Sequence, residues 1–218
     1  MIPFFAIIFY CNFLIYSSGE FYQNIDTIIK SHEEYIIGYG IDEKKYSYIK
    51  RKELEYNEKH DILVIGSSRA LGFRKEMFKG KFYNSGYIMT KISGMNSFIN
   101  SLEESKRPKF LIATIDPWMF NENWNATRTC KMDYYNDKYR KTPSINNMLF
   151  VCKKILKNQY QLTSNQKYSK NRIGLKSHNQ KIGIRKDGSM DYSGLIERII
   201  RKDETLTDYN FKNTLNKI

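Results

Sequence analysis

Cysteine, histidine and proline are scarce: three, three and four residues in a chain of 218. Cys11, Cys130 and Cys152 are too few for a disulfide-scaffolded domain, and with no C-x-x-C pair among them they suggest no zinc site. Three histidines, His32, His60 and His178, leave few candidates for imidazole chemistry. No internal repeat or low-complexity tract occurs. What is present is ordinary globular material: 41% hydrophobic and 15% aromatic residues exclude a disordered or collagen-like chain. The length fits one domain with additions, enough to bury a core.

Acidic residues are also in short supply, 23 against 36 lysines and arginines, for a net charge of +13. The imbalance is local. Between Arg128 and Lys186 stand 15 basic and two acidic residues, and the rest of the chain is balanced. A lysine-rich solvated surface explains this, and so does contact with anionic lipid headgroups or a polyanionic envelope polymer. No nucleic-acid-binding motif accompanies the charge, so no nucleic acid is expected as a partner. Within the stretch, Ile145, Met148, Leu149, Cys152, Ile155 and Leu156 form a helical stripe with one packed face. Gln161–Asn179 reads as a polar loop.

The chain begins with one long apolar run, Ile2 to Tyr16, broken only by Asn12. It falls short of the roughly 20 residues that span a bilayer and lies nearer a signal-peptide core. Residues 1–19 are read as a signal-anchor or signal-peptide-like segment, with the remainder outside the cytoplasm; a buried helix of a soluble domain is the alternative. Residues 20–60 follow as a helical linker region.

From Asp61 the pattern changes. Asp61-Ile62-Leu63-Val64-Ile65-Gly66 is a short continuous apolar run, as expected of a strand buried on both faces. Ala70–Phe78 suits a helix, Phe82-Tyr83-Asn84 a short second strand, and Ser93 the start of a helix carrying Met95, Phe98, Ile99 and Leu102 at i, i+3, i+4 and i+7. Phe110–Ile115 is a second buried run. Strand, helix, strand, helix, strand predicts an α/β fold with a parallel sheet in which Ile62–Gly66 and Phe110–Ile115 are neighbours. A further helix fits Gly194–Lys202.

Ser67 and Ser68 directly follow the first buried strand. In open α/β sheets sites form at the carboxyl ends of strands, where nearby amides can hold a developing oxyanion. A serine here is also a natural helix N-cap. At this point the residues resemble a family. Ile65-Gly66-Ser67-Ser68-Arg69 is similar to the first block of the SGNH, or GDSL-type, hydrolases and places the nucleophile on Ser68. Tyr83-Asn84-Ser85-Gly86 resembles their second block, whose downstream glycine position falls on Met89. Ala113-Thr114-Ile115-Asp116 stands at the third block, with Ile115 in place of the oxyanion asparagine. Asp116-Pro117-Trp118 and Arg185-Lys186-Asp187-Gly188-Ser189-Met190-Asp191-Tyr192 resemble segments of a membrane-anchored branch of bacterial envelope proteins related to the teichoic-acid D-alanylation protein.

The resemblance implies a flavodoxin-like (SGNH-type) three-layer parallel sheet over residues 61–218, with a basic insertion at 128–186 and an N-terminal apolar helix. It implies an esterase or acyltransferase acting on an envelope glycan or teichoic-acid-like polymer, without cofactor or metal. Ser68 would be catalytic, with Gly66, Ser67, Arg69, Asn84, Gly86, Met89, Asp116 and Trp118 forming the oxyanion site and pocket. The family's base is a histidine in a C-terminal D-x-x-H segment, and no such segment occurs in this sequence. His60 precedes the strand that Ser68 follows, roughly 20 Å away at about 3.3 Å per residue. Only three of about five family strands are recognisable. The expectation is therefore an incomplete, inactive SGNH-like domain, with a complete non-catalytic, membrane-tethered accessory or binding protein as the alternative.

Overall fold

The computed structural model describes residues 2–21, 25–31, 33–43, 45–89, 91–123, 143–160 and 171–201. Among these, the chain is mixed α/β and builds two sheets. The first is the expected one. Strands β2 (Ile62–Gly66), β3 (Phe82–Gly86) and β4 (Phe110–Ala113) are all parallel, in the order β3-β2-β4. Ile62 pairs with both Phe82 and Phe110 and Ile65 with Ser85 and Ala113, so the two apolar runs are parallel neighbours.

Central strand β2 is covered on both faces, as its unbroken apolar run requires. Leu63 and Ile65 pack with Tyr83, Ile88 and Met89 and with Phe98 and Leu102, contributed by helix α4 (Ser93–Asn100) and the turn after it. Val64 faces the other way, toward Ala70 and Phe82. β4 differs from expectation. It lacks an outer neighbour among the described residues, and Phe110 is 67% exposed, with Leu111 and Ile115 also open to solvent. The expected helix over Ala70–Phe78 is instead two short 3-10 turns, Ser68–Gly72 and Lys75–Met77, the break falling at Phe73 and Arg74, both extended.

The second sheet has no counterpart in the sequence reading. β1 (Ile36–Ile37), β5 (Arg172–Ile173), β6 (Ile182–Arg185) and β7 (Met190–Tyr192) align in the order β5-β1-β6-β7, with one parallel and two antiparallel pairings. Two- to four-residue strands are too short to show a period. The sheet nevertheless draws the 20–60 region into the fold: β1 lies in it, and α3 (Lys45–Tyr56) sends Tyr46 and Ile49 into a core with Ile37, Ile173 and Ile184. α2 (Ile25–Lys30) precedes them, and Ile29 joins the same core.

The apolar N-terminus is a helix, α1 (Ile2–Ser17), packed against α5 (Ile145–Leu156). Cys11, Leu14 and Ile15 meet Val151 there, with Met148, Cys152 and Ile155 partly buried around them. Cys11 and Cys152 are joined by a disulfide closing a separation of 141 residues, a staple that the cysteine count did not anticipate. The stripe expected on α5 is rotated: Met148, Cys152 and Ile155 face inward, whereas Ile145, Leu149 and Leu156 face solvent. No helix among the described residues is long and apolar enough to cross a membrane. Within the expected Gln161–Asn179 loop, the described part forms β5 and helix α6 (Leu175–Gln180); α7 (Leu195–Ile200) closes the described chain. Much of the basic stretch, residues 128–142 and 161–170, lies outside the described residues, as does His32.

Candidate functional site

The chain passes from β2 to β3 on one side and then to β4 on the other. The crevice of a parallel sheet lies where its order reverses, here between the carboxyl ends of β2 and β4. β2 must stop there in a particular way. Gly66 has φ +146, and a Cβ on it would fall 1.9 Å from Thr114 Oγ1. Only glycine lets the strand end close against the segment leaving β4. Ser67 then caps the 3-10 turn, its Oγ accepting from the Arg69 N–H at 3.2 Å. That is the N-cap role weighed for this pair, and it frees Ser68 to stand exposed on the rim.

Arg69 crosses the crevice. Its guanidinium lies 4.3 Å from the Trp118 ring centroid and 3.7 Å from Asp116 Oδ1. Asp116 is nearly fully buried and caps the Pro117–Phe120 turn through its backbone carbonyl, which accepts from Met119 N–H. Its second oxygen, Oδ2, is buried with no hydrogen-bond partner among the described residues. A buried carboxylate oxygen without a donor is costly, so a ligand hydroxyl or ammonium entering beside Arg69 would be favoured there. Ser67, Ser68, Arg69, Asp116 and Trp118 are thus brought to one place.

Asn84 and Gly86 reach the same end of the sheet but with their groups already committed. Asn84 is fully buried. Its Nδ2 donates to Ala70 O at 2.7 Å and Phe73 O at 2.8 Å, and its Oδ1 accepts from Gly86 N–H at 2.7 Å. It therefore holds the Ser68 turn onto β3 and consumes the Gly86 amide, one of those expected near an oxyanion. The next amide, Tyr87, donates to Gly66 O and Ser67 O. Met89 is a core residue packed with Leu63 and Phe98, not a wall of the crevice. Of the amides expected to hold an oxyanion, those of Ser68 and Met89 donate to no partner among the described residues, and Met89 is buried in the core while Ser68 stands at the rim.

The Asp187-Gly188-Ser189 turn of the β6–β7 hairpin docks on Asn84 at the edge of β3. Asn84 N–H donates to Asp187 O at 2.8 Å, and Gly188, at φ +78, lies so close that a Cβ would meet Asn84 O at 2.1 Å. Asp187 Oδ1 accepts from the Ser189 N–H and Oγ, and Oδ2 from the Lys75 N–H. Two segments singled out far apart in sequence are therefore one contact. Lys50 was not singled out. Fully buried, it donates to Asn84 O at 2.7 Å and Gly188 O at 2.6 Å. Burial drives its ammonium well below the ordinary lysine range, against the pull of the Asp187 charge. The α3 period carried the signal, since position 50 falls between buried Tyr46, Ile49, Glu53 and Leu54.

The described histidines are elsewhere. His60 sits against the Tyr83 ring, 5.2 Å between centroids, at the amino end of β2. Burial, then Lys106 and Lys81, lower it to about 4. His178 lies in α6 beside Arg172 and Ser18 and is lowered to about 4 by burial and by the Arg172 charge. A cleft of about 280 Å³, lined by residues including Arg172, Arg185 and Tyr35, belongs to the second sheet and holds none of the expected site residues. No group of three or more metal-ligating side chains converges among the described residues. No family model, no curated protein and no solved structure matches this chain.

Proposed function

We propose that the crevice between β2 and β4 is an acyl-chemistry site of the SGNH type in a bacterial envelope protein. It would serve an esterase or acyltransferase acting on an envelope glycan or teichoic-acid-like polymer. The observation that carries this reading is the position of Ser68, exposed on the turn that leaves the central strand, at the point where strand order reverses. The order β3-β2-β4 is also how a flavodoxin-like sheet begins, with its first strand between its second and third. In this reading Ser68 Oγ attacks the acyl carbon, the donor ester's C–O bond breaks and its alcohol leaves with the serine proton. An acceptor hydroxyl or water then takes the acyl group and returns its proton to Oγ; the Ser68 amide faces the oxyanion, and Arg69, Asp116 and Trp118 border the acceptor. The Cys11–Cys152 disulfide supports a place outside the cytoplasm, where disulfides persist.

Ser68 has no imidazole beside it among the described residues, and a serine hydroxyl without a base forgoes about 10²–10⁴-fold in rate. The commitment of the Gly86 and Tyr87 amides favours a second reading, a non-catalytic binding or accessory protein on the same scaffold. Hydrolysis of p-nitrophenyl acetate by the 218-residue chain, beside Ser68→Ala and His178→Ala variants, separates them. Equal, near-background rates for all three would favour the second, non-catalytic reading. Turnover abolished by Ser68→Ala and kept by His178→Ala would place a base outside the described residues and establish catalysis. Turnover lost in both variants would overturn the assignment of His178 to a structural role.

A further inference from the structure

α1 and α5 each bury one side against the other and leave large apolar side chains on the solvent side. On α1 these are Phe9, 76% exposed, with Phe13 and Tyr16 following at helical spacing. On α5 they are Ile145, 71% exposed, Leu149 and Leu156, 84% exposed. A soluble surface rarely gathers so many. The charge on the pair is of one sign. Neither helix carries an acidic residue, while Lys153 and Lys154 lie in the last turn of α5 and Lys157 directly follows it. Lys154 Nζ bonds the neutral Gln159 Oε1, not a carboxylate.

We propose that the α1–α5 pair is a docking surface for an anionic bilayer, one that lies in the headgroup layer without crossing it. The lysines decide the depth. Cys11, within α1, is bonded to Cys152, immediately before Lys153 and Lys154, so α1 cannot enter the hydrocarbon without drawing that lysine pair with it. Apolar side chains on one side and lysines able to reach anionic headgroups are the composition of an interfacial helix. A second copy of the chain fits less well, because a symmetric contact would set these lysines against one another with no carboxylate on either helix to receive them. The proposal is independent of the chemistry at Ser68.

The test is co-flotation of the oxidised 218-residue chain with phosphatidylcholine vesicles, with and without phosphatidylglycerol. The chain should float with the anionic vesicles. Lys153→Glu/Lys154→Glu should lower the bound fraction about tenfold or more, at about 1 kcal/mol per lysine near a charged surface. Phe9→Ser/Phe13→Ser, both at exposed positions, should abolish flotation while leaving the thermal transition in place. Absence of flotation by the parent chain, or flotation unchanged in both variants, would overturn the proposal. So would a vesicle-independent dimer that the Phe9→Ser/Phe13→Ser change dissolves, which would assign the face to a second copy.

Discussion

Residue identity matters most in this molecule where a polar group has been taken out of water. Asn84 holds the Ser68 turn with its amide nitrogen and accepts the Gly86 N–H with its amide oxygen, which makes it a positioning residue for the site and not a donor within it. The N-x-G pattern announced that an asparagine and a glycine belong together after a strand; it could not say that each satisfies the other. His178 gives a measurable consequence of burial. It is held at about 4, against an ordinary value of 6.5, by burial first and the Arg172 charge second. Between those two values the unfolded chain takes up a proton that the folded chain refuses. Its contribution to stability is therefore complete above about pH 6.5 and drains away as pH falls toward 4. His60 acts in the same direction, while Glu53, raised by burial to about 7, loses its contribution as pH rises through 7. The difference between parent and His178→Gln isolates the one group. Urea midpoints should show a shallower fall from pH 7 to pH 4 in the variant, and parallel curves would refute this account of His178.

Among the elements, those built on a continuous apolar run were legible and those built on exchange between distant segments were not. β2, β4 and α4 all stand where their patterns put them, because burial in a parallel sheet and on a helix face both leave a period in sequence. The exposure of β4 was illegible, since Phe110 and Leu111 read the same whether or not another strand covers them. The Ser68–Gly72 turn is short because Asn84 Nδ2 takes the carbonyls of Ala70 and Phe73, a constraint supplied by a strand more than ten residues away. α3 is fixed in the same manner, through Lys50. Replacing Lys50 by Met keeps the length of the side chain and leaves two buried carbonyl oxygens, Asn84 O and Gly188 O, without their donor. Unpaired buried acceptors cost about 1–3 kcal/mol each, offset in part by no longer burying an ammonium. A loss of about 2 kcal/mol in urea unfolding is expected, with unchanged slope. A variant as stable as the parent would show that Lys50 does not fasten α3 to the hairpin.

At the scale of the whole molecule, the structure is a parallel sheet whose β3 edge is tied to a second, mixed sheet, with the α1–α5 pair stapled by Cys11–Cys152. The link runs through Asn84, Gly188 and Lys50, so the hairpin that the sequence marked only as a motif holds β3 and, through Asn84, the Ser68 turn at the rim of the crevice. The central claim is that Ser68 and the Asp116–Trp118 turn face each other across that crevice. A nitroxide on Ser68→Cys, in a chain with Cys130→Ser and the Cys11–Cys152 bond intact, tests it directly. The indole N–H resonance of Trp118, assigned with Trp118→Phe, should be broadened away and should return when the nitroxide is reduced. A Trp118 signal at full intensity in the labelled protein would contradict the shared site and the strand order that creates it.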